Sequence, residues 1–295
     1  MTVYDVIIVG NGPAGLSAAL YTSRANLQTL IIGKDGGALE KADRIENYFG
    51  MAEPVSGCEL VENSKSQAKS LGAQLVEDEI FHISWDGSFL LEGREGTYGA
   101  RAVLLATGTS RKTIRLKGIQ ELEGRGVSYC AVCDAFFYRG KHVAVLGNEE
   151  YAVHEMNQLL PVVASVTLLT NGAELKAKVP GEVKVIETPL ASVDGQDKVE
   201  GVTFADGSSL LADGLFVALG SAGAAELARK IGAMLEGRSI QVNRKMETNI
   251  PGFYAAGDCT GGLLQISTAV GEGAKAAMSM IKFVRSQREG QKSED

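Results

Sequence analysis

The start of the chain carries a strand–turn–helix–strand pattern that strongly constrains its fold. An apolar strand is predicted over residues 3–9, a helix follows to about residue 24, and a second apolar strand covers 29–32. The turn after the first strand reads Gly10-Asn11-Gly12-Pro13-Ala14-Gly15. A GxGxxG turn in this setting predicts a dinucleotide-type βαβ unit. Its glycines make the turn, admit a pyrophosphate to the backbone and let the helix pack on the strand.

A related pattern recurs in the middle of the chain. A strand is predicted over 141–146, then a turn that reads Gly147-Asn148-Glu149-Glu150, a helix to about residue 160 and a strand over 166–170. Another strand and turn over 249–258 precede a helical tail from about residue 264. We therefore predict an α/β fold of two doubly wound, three-layer domains, with the second inserted in the first. The first domain is assigned to 1–112 and 246–295, and the inserted domain to 113–245.

A CxxC pair followed by an acid, Cys130-Ala131-Val132-Cys133-Asp134, precedes the second of these patterns. One thiol of such a pair can close a disulfide on the other, so the motif is typical of a two-electron thiol–disulfide centre. A zinc half-site and two buried thiols are the alternatives. Zinc needs four ligands, and neither Cys58, Cys259 nor the three histidines are spaced as partners, so no metal is predicted. Cys58 and Cys259 are predicted to be core residues.

Composition narrows the class of protein. The chain has 295 residues, of which 45% are hydrophobic and 22% charged. It begins without a signal peptide and has no apolar run of about 18 residues, the length that a membrane span needs. Four cysteines do not form a dense disulfide framework. These features predict a globular, cytoplasmic protein with no membrane partner.

The charge is unevenly distributed. A net charge of −7 argues against nucleic acid as a partner. Residues 101–145 nevertheless carry eight basic side chains against three acidic ones, which leaves five positive charges. The basic residues are Arg101, Arg111, Lys112, Arg115, Lys117, Arg125, Arg139 and Lys141. This segment is either a solvated linker or a docking surface for an acidic protein.

Several motifs, in order along nearly the whole chain, resemble those of low-molecular-weight thioredoxin reductases: GNGPAGLSAALY, ENYFG, ATG, GRGVSYCAVCDAFFYRGK and FYAAGD. The resemblance implies bound FAD, a homodimer and a thioredoxin-like partner. It assigns cofactor contacts to Gly10, Gly12, Pro13, Ala14, Gly15, Gly37, Leu39, Asn47, Ala106, Thr107, Gly108, Gly257, Asp258, Gln265 and Ile266.

The resemblance also assigns the catalytic roles. Cys133 receives electrons from the flavin, and Cys130 attacks the disulfide of the partner protein. Asp134 is the acid that protonates the departing thiolate, a role that suits a carboxyl group beside a disulfide.

The second turn departs from the family pattern. Glu149 stands where the family has a central glycine, and Glu150 follows it. Two carboxylates at a helix N-terminus oppose a phosphate there. No arginine occurs between Arg139 and Arg229 to meet a 2′-phosphate, and Leu264 replaces a family arginine. The sequence therefore predicts that NAD(P)H is not the electron donor.

This combination resembles a smaller, pyridine-nucleotide-independent group of these reductases that is fed by ferredoxin. Ferredoxins are generally acidic, which would give the basic segment a use. Three alternatives stay open: an NADPH enzyme with an atypical turn, an enzyme with a second flavin in place of the nicotinamide, and a flavin-binding redox sensor without turnover.

Overall fold

The computed structural model describes residues 2–34, 37–108, 114–220 and 223–292. The chain divides into two compact units, the first made of Met1–Ser110 and Gly223–Asp295 and the second of Arg111–Ala222. The α/β fold with one domain inserted in the other is confirmed.

The first unit is built on a seven-stranded sheet. Its strands are β1 (Val3–Val9), β2 (Thr29–Gly33), β3 (Gln74–Glu77), β4 (Ile80–Trp85), β5 (Phe89–Gly93), β6 (Thr97–Leu105) and β17 (Phe253–Ala255). They run in the order β3-β2-β1-β6-β5-β4, and β17 also pairs with β6. β1 is parallel to β2 and β6, whereas β4 and β5 add an antiparallel edge.

Helices complete this unit: α1 (Pro13–Arg24), α2 (Gly57–Ser70), α5 (Ala224–Lys230) and α6 (Ile266–Lys292). α1 and α6 pack against each other, and their apolar faces join the sheet in one core that includes Leu16, Leu104 and Met280. Among the helices described, none is long and apolar enough to cross a membrane.

The second unit has a five-stranded parallel sheet in the order β10-β9-β8-β14-β7 and a three-stranded antiparallel sheet. The parallel strands are β7 (Val127–Ser128), β8 (His142–Leu146), β9 (Ser165–Leu169), β10 (Lys184–Ile186) and β14 (Gly214–Val217), and the antiparallel ones are β11 (Leu190–Asp194), β12 (Gly201–Phe204) and β13 (Ser209–Leu211). The helices are α3 (Ala131–Asp134) and α4 (Glu150–Leu159).

The chain returns to the first unit earlier than the sequence predicts, at Gly223 instead of residue 246. The intervening residues form α5 and a hairpin of β15 (Leu235–Glu236) and β16 (Ser239–Ile240). α5 packs against β4, and Lys230 Nζ donates a hydrogen bond to the carbonyl oxygen of Phe81 at 3.0 Å. The division at Gly223 and the predicted boundary differ because a short helix and hairpin carry no sequence pattern that ties them to one domain.

The glycine turn after β1 is held by close backbone contacts. Gly10 has a φ of +116°, and a Cβ placed on it would lie 2.2 Å from the carbonyl oxygen of Ala106. A Cβ on Gly15 would lie 2.0 Å from the carbonyl oxygen of Gly10. These glycines therefore let α1 and the turn after β6 approach the end of β1.

We expect Gly15→Ala to destabilise the protein. Alanine normally favours a helix interior over glycine by about 1 kcal/mol, but here its methyl group would overlap backbone, at roughly 1–3 kcal/mol. Chemical unfolding of the apoprotein measures the sum. The matched control is Gly271→Ala in α6, where a Cβ meets nothing within 4 Å, so this variant should be as stable as the parent or more stable. Equal stability of the two variants would contradict the packing argument.

Candidate functional site

The CxxC pair lies at the start of α3, directly after β7. The structure joins Cys130 and Cys133 in a disulfide with a Cα–Cα distance of 5.3 Å. Cys130 caps the helix: its backbone is extended, and its sulfur accepts a hydrogen bond from the Cys133 N–H at 3.2 Å. One helical turn thus brings the two sulfurs together, as the three-residue spacing predicts.

The two cysteines differ in exposure. Cys130 is buried, with 1% of its surface exposed, whereas Cys133 is half-buried. In the oxidised state Cys133 is therefore the more accessible member of the pair. Cys130 has to become accessible before it can attack another protein.

Asp134, the predicted acid, is held by a serine that the sequence analysis did not single out. The Ser128 hydroxyl donates a hydrogen bond to Asp134 Oδ2 at 2.6 Å, and Ser128 Oγ accepts one from the Cys130 N–H at 3.2 Å. Ser128 thus fixes the carboxyl group relative to the cysteine backbone. The pKa of the Tyr138 hydroxyl is raised, mainly by burial and to a smaller extent by the nearby charges of Asp134 and Asp213.

A second residue missed by the sequence analysis is Glu155 in α4. The Ala131 N–H, in the turn between the cysteines, donates a hydrogen bond to Glu155 Oε2 at 2.7 Å. Glu155 is buried, as are the apolar residues Ala152 and Leu159 of the same helix. A charged residue on an apolar helix face was the available sequence signal.

Exposed apolar side chains lie within the disulfide turn and directly after it. Phe136 and Phe137 follow α3 and are 71% and 67% exposed, and Val132 inside the motif is 44% exposed. The two rings meet edge to face at a centroid distance of 6.1 Å, and the guanidinium of Arg139 lies 5.6 Å from the Phe136 ring. Clustered exposed aromatic residues are typical of protein-binding surfaces.

The glycine turn of the first unit has the features of a phosphate site. Gly12 caps α1 without a side-chain hydrogen bond, Pro13 occupies the first turn, and that turn holds no acidic residue. A Cβ on Gly12 would meet nothing within 4 Å. The helix N-terminus thus offers backbone N–H groups beside open space, which suits a pyrophosphate.

The turn after β6 lies beside this site and adds an independent sign of a ligand. The Thr107 hydroxyl is buried and has no hydrogen-bond partner among the residues that the structure describes. Buried polar groups normally have a partner. Ala106, on one side of Thr107, contacts the Gly10 turn, while a Cβ on Gly108, on the other side, would meet nothing within 4 Å. The uncapped helix, the open glycines and this hydroxyl together fit a bound FAD.

The remaining predicted cofactor residues all lie in the same unit. Gly257 has a φ of +81°, and a Cβ on it would lie 3.0 Å from that of Ala14; Asp258 follows in a short 3₁₀ turn. Asn47 Nδ2 donates a hydrogen bond to Gln265 Oε1 at 3.1 Å. Gly37 caps a 3₁₀ turn over Ala38–Lys41, and Leu39 lies within that turn. Ile266 is the first residue of α6.

The corresponding turn of the second unit differs in charge. Glu149 caps α4 without a side-chain hydrogen bond to the helix, and Glu150 lies in the first turn. Asn148 Nδ2 donates a hydrogen bond to the Glu174 carbonyl at 2.8 Å, and the Lys176 N–H donates one to the Asn148 carbonyl at 2.8 Å. The turn after β8 is thus tied to the loop after β9.

These loops border a cavity of about 460 Å³ at the carboxyl ends of β8, β9 and β14. In a doubly wound sheet this is where a nucleotide binds. The lining residues are Ile114, Asn148, Glu149, Thr170, Asn171, Ala173, Glu174, Lys176 and Leu219. Two carboxyl groups and one ammonium group are the charged side chains of this lining, so its net charge is negative.

The two other cysteines behave differently from each other. Cys259 is buried, as predicted, and burial raises the pKa of its thiol to about 12. Cys58 was also predicted to be a core residue, and this is wrong: it is exposed at the start of α2, beside the buried Gly57. Within the described ranges, no group of three or more His, Cys, Asp or Glu side chains could hold a metal ion.

Comparison with known proteins agrees with this architecture. The model of the family described as pyridine nucleotide-disulphide oxidoreductase matches residues 4–273. Thioredoxin reductase of Aquifex aeolicus is 35% identical over an alignment that covers 96% of this chain and 94% of the relative. The chain therefore belongs to the pyridine nucleotide-disulphide oxidoreductase family, whose thioredoxin reductases are its homologues, and it is an FAD-binding flavoprotein.

Two solved structures are informative relatives. The atypical thioredoxin reductase TRi from Desulfovibrio vulgaris Hildenborough is 40% identical, with a TM-score of 0.90 over 96% of this chain and 98% of that one. A ferredoxin-flavin thioredoxin reductase from Clostridium acetobutylicum is 35% identical, with a TM-score of 0.73 over 96% of this chain and 99% of that one.

The cysteine environments predict the thiol chemistry of the native, oxidised protein. Ellman's reagent should titrate about one thiol per chain, from the exposed Cys58, because the disulfide is closed and the Cys259 thiol stays protonated and buried. Cys58→Ser should remove this thiol, and Cys259→Ser should leave it unchanged. Rapid titration of a second thiol would contradict the assignment.

Proposed function

We propose that the chain is a flavin-dependent disulfide reductase that reduces thioredoxin or a similar small dithiol protein, with electrons from ferredoxin or another non-nicotinamide donor. The observation that carries the proposal is the combination of an open phosphate turn in the first unit, a closed Cys130–Cys133 disulfide, and a carboxylate-lined turn in the second unit.

FAD would be held by the first unit. We assign its pyrophosphate to the turn of Gly10, Gly12 and Gly15 at the N-terminus of α1, and a hydrogen bond to the Thr107 hydroxyl. The other residues assigned by resemblance are proposed as further contacts. When bound, FAD supplies redox chemistry in one- and two-electron steps, which suits a one-electron donor and a disulfide acceptor.

The chain's own residues account for the thiol chemistry. In the reduced protein, the Cys130 thiolate attacks the partner disulfide, which forms a mixed disulfide and releases one partner thiolate. Asp134, oriented by Ser128, protonates that thiolate. Cys133 then attacks the Cys130 sulfur, which closes the intramolecular disulfide and frees the second partner thiolate. Two electrons pass to the partner, which leaves as a dithiol after taking up two protons.

The partner surface is proposed to include Val132, Phe136 and Phe137. They are exposed next to the redox pair, and aromatic side chains of this kind contribute strongly to protein interfaces. An acceptor protein that covers them would exclude water from the site of thiol exchange.

Phe136→Ser tests this surface. We expect KM for thioredoxin to rise at least about fivefold, because a buried phenyl contact is worth more than 1 kcal/mol, while turnover with the small disulfide of Ellman's reagent stays unchanged. The matched control is Leu211→Ser, which removes an 84% exposed side chain elsewhere in the second unit. Equal losses for both variants, or a loss with the small disulfide as well, would exclude the surface.

The donor assignment rests on charge. Glu149 is the N-cap of α4 and Glu150 lies in its first turn, the end of a helix at which a dinucleotide phosphate binds. Like charges repel by about 1 kcal/mol in water and more when partly buried. An acidic donor has a better target in the basic segment. Five basic side chains of this segment are exposed: Arg115, Lys117, Arg125, Arg139 and Lys141. Arg101 forms an ion pair with Asp5, with 3.7 Å between Arg101 Nε and Asp5 Oδ1. Arg111 and Lys112 fall outside the described residues.

Anaerobic stopped-flow spectroscopy separates the donors. Reduced ferredoxin should bleach the flavin at least about 100-fold faster than NADPH at equal concentration, since the carboxylates oppose dinucleotide binding. The double variant Glu149→Gly with Glu150→Ala should bind NADPH about tenfold more tightly in calorimetry. Fast, stoichiometric bleaching by NADPH would instead establish an NADPH-dependent function, which agrees equally well with the named thioredoxin reductase relatives.

A flavin-to-protein ratio near two would favour a second bound flavin.

A further inference from the structure

Glu155 is a buried carboxyl group that the thiol chemistry described above does not use. It lies on the inward face of α4 and is 1% exposed. Burial of a carboxyl group costs free energy unless the group is hydrogen-bonded or paired with an opposite charge. Its neighbours along the helix face, Ala152, Met156 and Leu159, are apolar and fully buried.

The carboxylate reaches the redox turn of the second unit. Its Oε2 atom accepts the hydrogen bond of the Ala131 N–H at 2.7 Å, across a sequence separation of 24 residues. Ala131 is bonded directly to Cys130, whose sulfur is the N-cap of the same turn. Glu155 therefore holds the first backbone N–H of the turn, and its carboxyl group is one hydrogen bond away from the residue that follows Cys130.

This arrangement affects the two redox states differently. The disulfide is neutral, whereas the reduced pair carries a thiolate when it reacts. A nearby carboxylate repels that thiolate, and an N–H that already donates to Glu155 is less available to stabilise it. Stabilising the thiolate makes a disulfide more oxidising, as the strong oxidants among thiol–disulfide proteins show.

We propose that Glu155 is a positioning residue that keeps the Cys130–Cys133 pair strongly reducing, by holding the Ala131 N–H and by disfavouring a thiolate on Cys130. This inference rests on the proposed redox cycling of the pair, but not on the identity of the electron donor or of the protein acceptor.

Equilibration of the full-length holoprotein with dithiothreitol tests the proposal. Each equivalent of the dithiol that is oxidised to its cyclic disulfide transfers two electrons and two protons to the cysteine pair. The fraction of open pair is measured by thiol alkylation and mass spectrometry at mildly alkaline pH. Glu155→Gln keeps an acceptor oxygen for the Ala131 N–H and removes only the charge. It should shift the equilibrium about tenfold toward the dithiol, a rise in reduction potential of about 30 mV.

Two further variants distinguish charge from structure. Glu155→Ala removes the hydrogen-bond acceptor as well, so it should show the same shift together with a lower melting temperature. Glu182→Gln removes an exposed carboxylate from the same unit and should change neither quantity.

An unchanged equilibrium in Glu155→Gln, with or without a lower melting temperature in Glu155→Ala, would overturn the proposal and leave Glu155 a structural residue. An equal shift in Glu182→Gln would also overturn it. Because the assay uses dithiothreitol alone, its outcome is independent of whether ferredoxin or NADPH reduces the flavin. A pair that dithiothreitol does not open at all would instead contradict the proposed function.

Discussion

The contact of a glycine with the carbonyl at the end of a neighbouring strand fixes the nucleotide turn in both units. In the first unit a Cβ on Gly10 would lie 2.2 Å from the Ala106 carbonyl oxygen, and in the second a Cβ on Gly147 would lie 2.3 Å from that of Ala218. No side chain fits at either position. The close approach brings the helix N-terminus to the carboxyl end of the sheet, where a doubly wound fold binds its ligand.

The two turns differ at the next position of the motif, which is Gly12 in the first unit and Glu149 in the second. A Cβ on Gly12 would meet nothing within 4 Å, so the packing of the described residues does not require a glycine there. In the second unit Glu149 stands near the corresponding point of the turn, and the packing glycine before it is kept. The second turn thus keeps its packing glycine and carries carboxylates at the helix N-terminus, a charge that opposes a phosphate there. The family's architecture is thereby compatible with a change of electron donor.

The redox turn is organised by residues outside the CxxC motif. Ser128 orients Asp134 and accepts the Cys130 N–H, and Glu155 accepts the Ala131 N–H. The motif supplies the two sulfurs of the disulfide, whereas these neighbours hold the Asp134 carboxyl group and add a second carboxyl group beside the turn. Phe136 and Phe137 are exposed next to this turn, where the proposed partner would dock.

Local sequence patterns determined much of this protein. The alternation of strands, glycine turns and helices predicted the fold class, and the three-residue spacing of Cys130 and Cys133 predicted a closable pair, because each depends on neighbours along the chain. Only the tertiary structure decided that Cys58 is exposed, that the chain returns to the first unit at Gly223, and that Glu155 meets a turn 24 residues away. These features depend on which surfaces of separate elements pack together, and that information is not contained in the periodicity of any single segment.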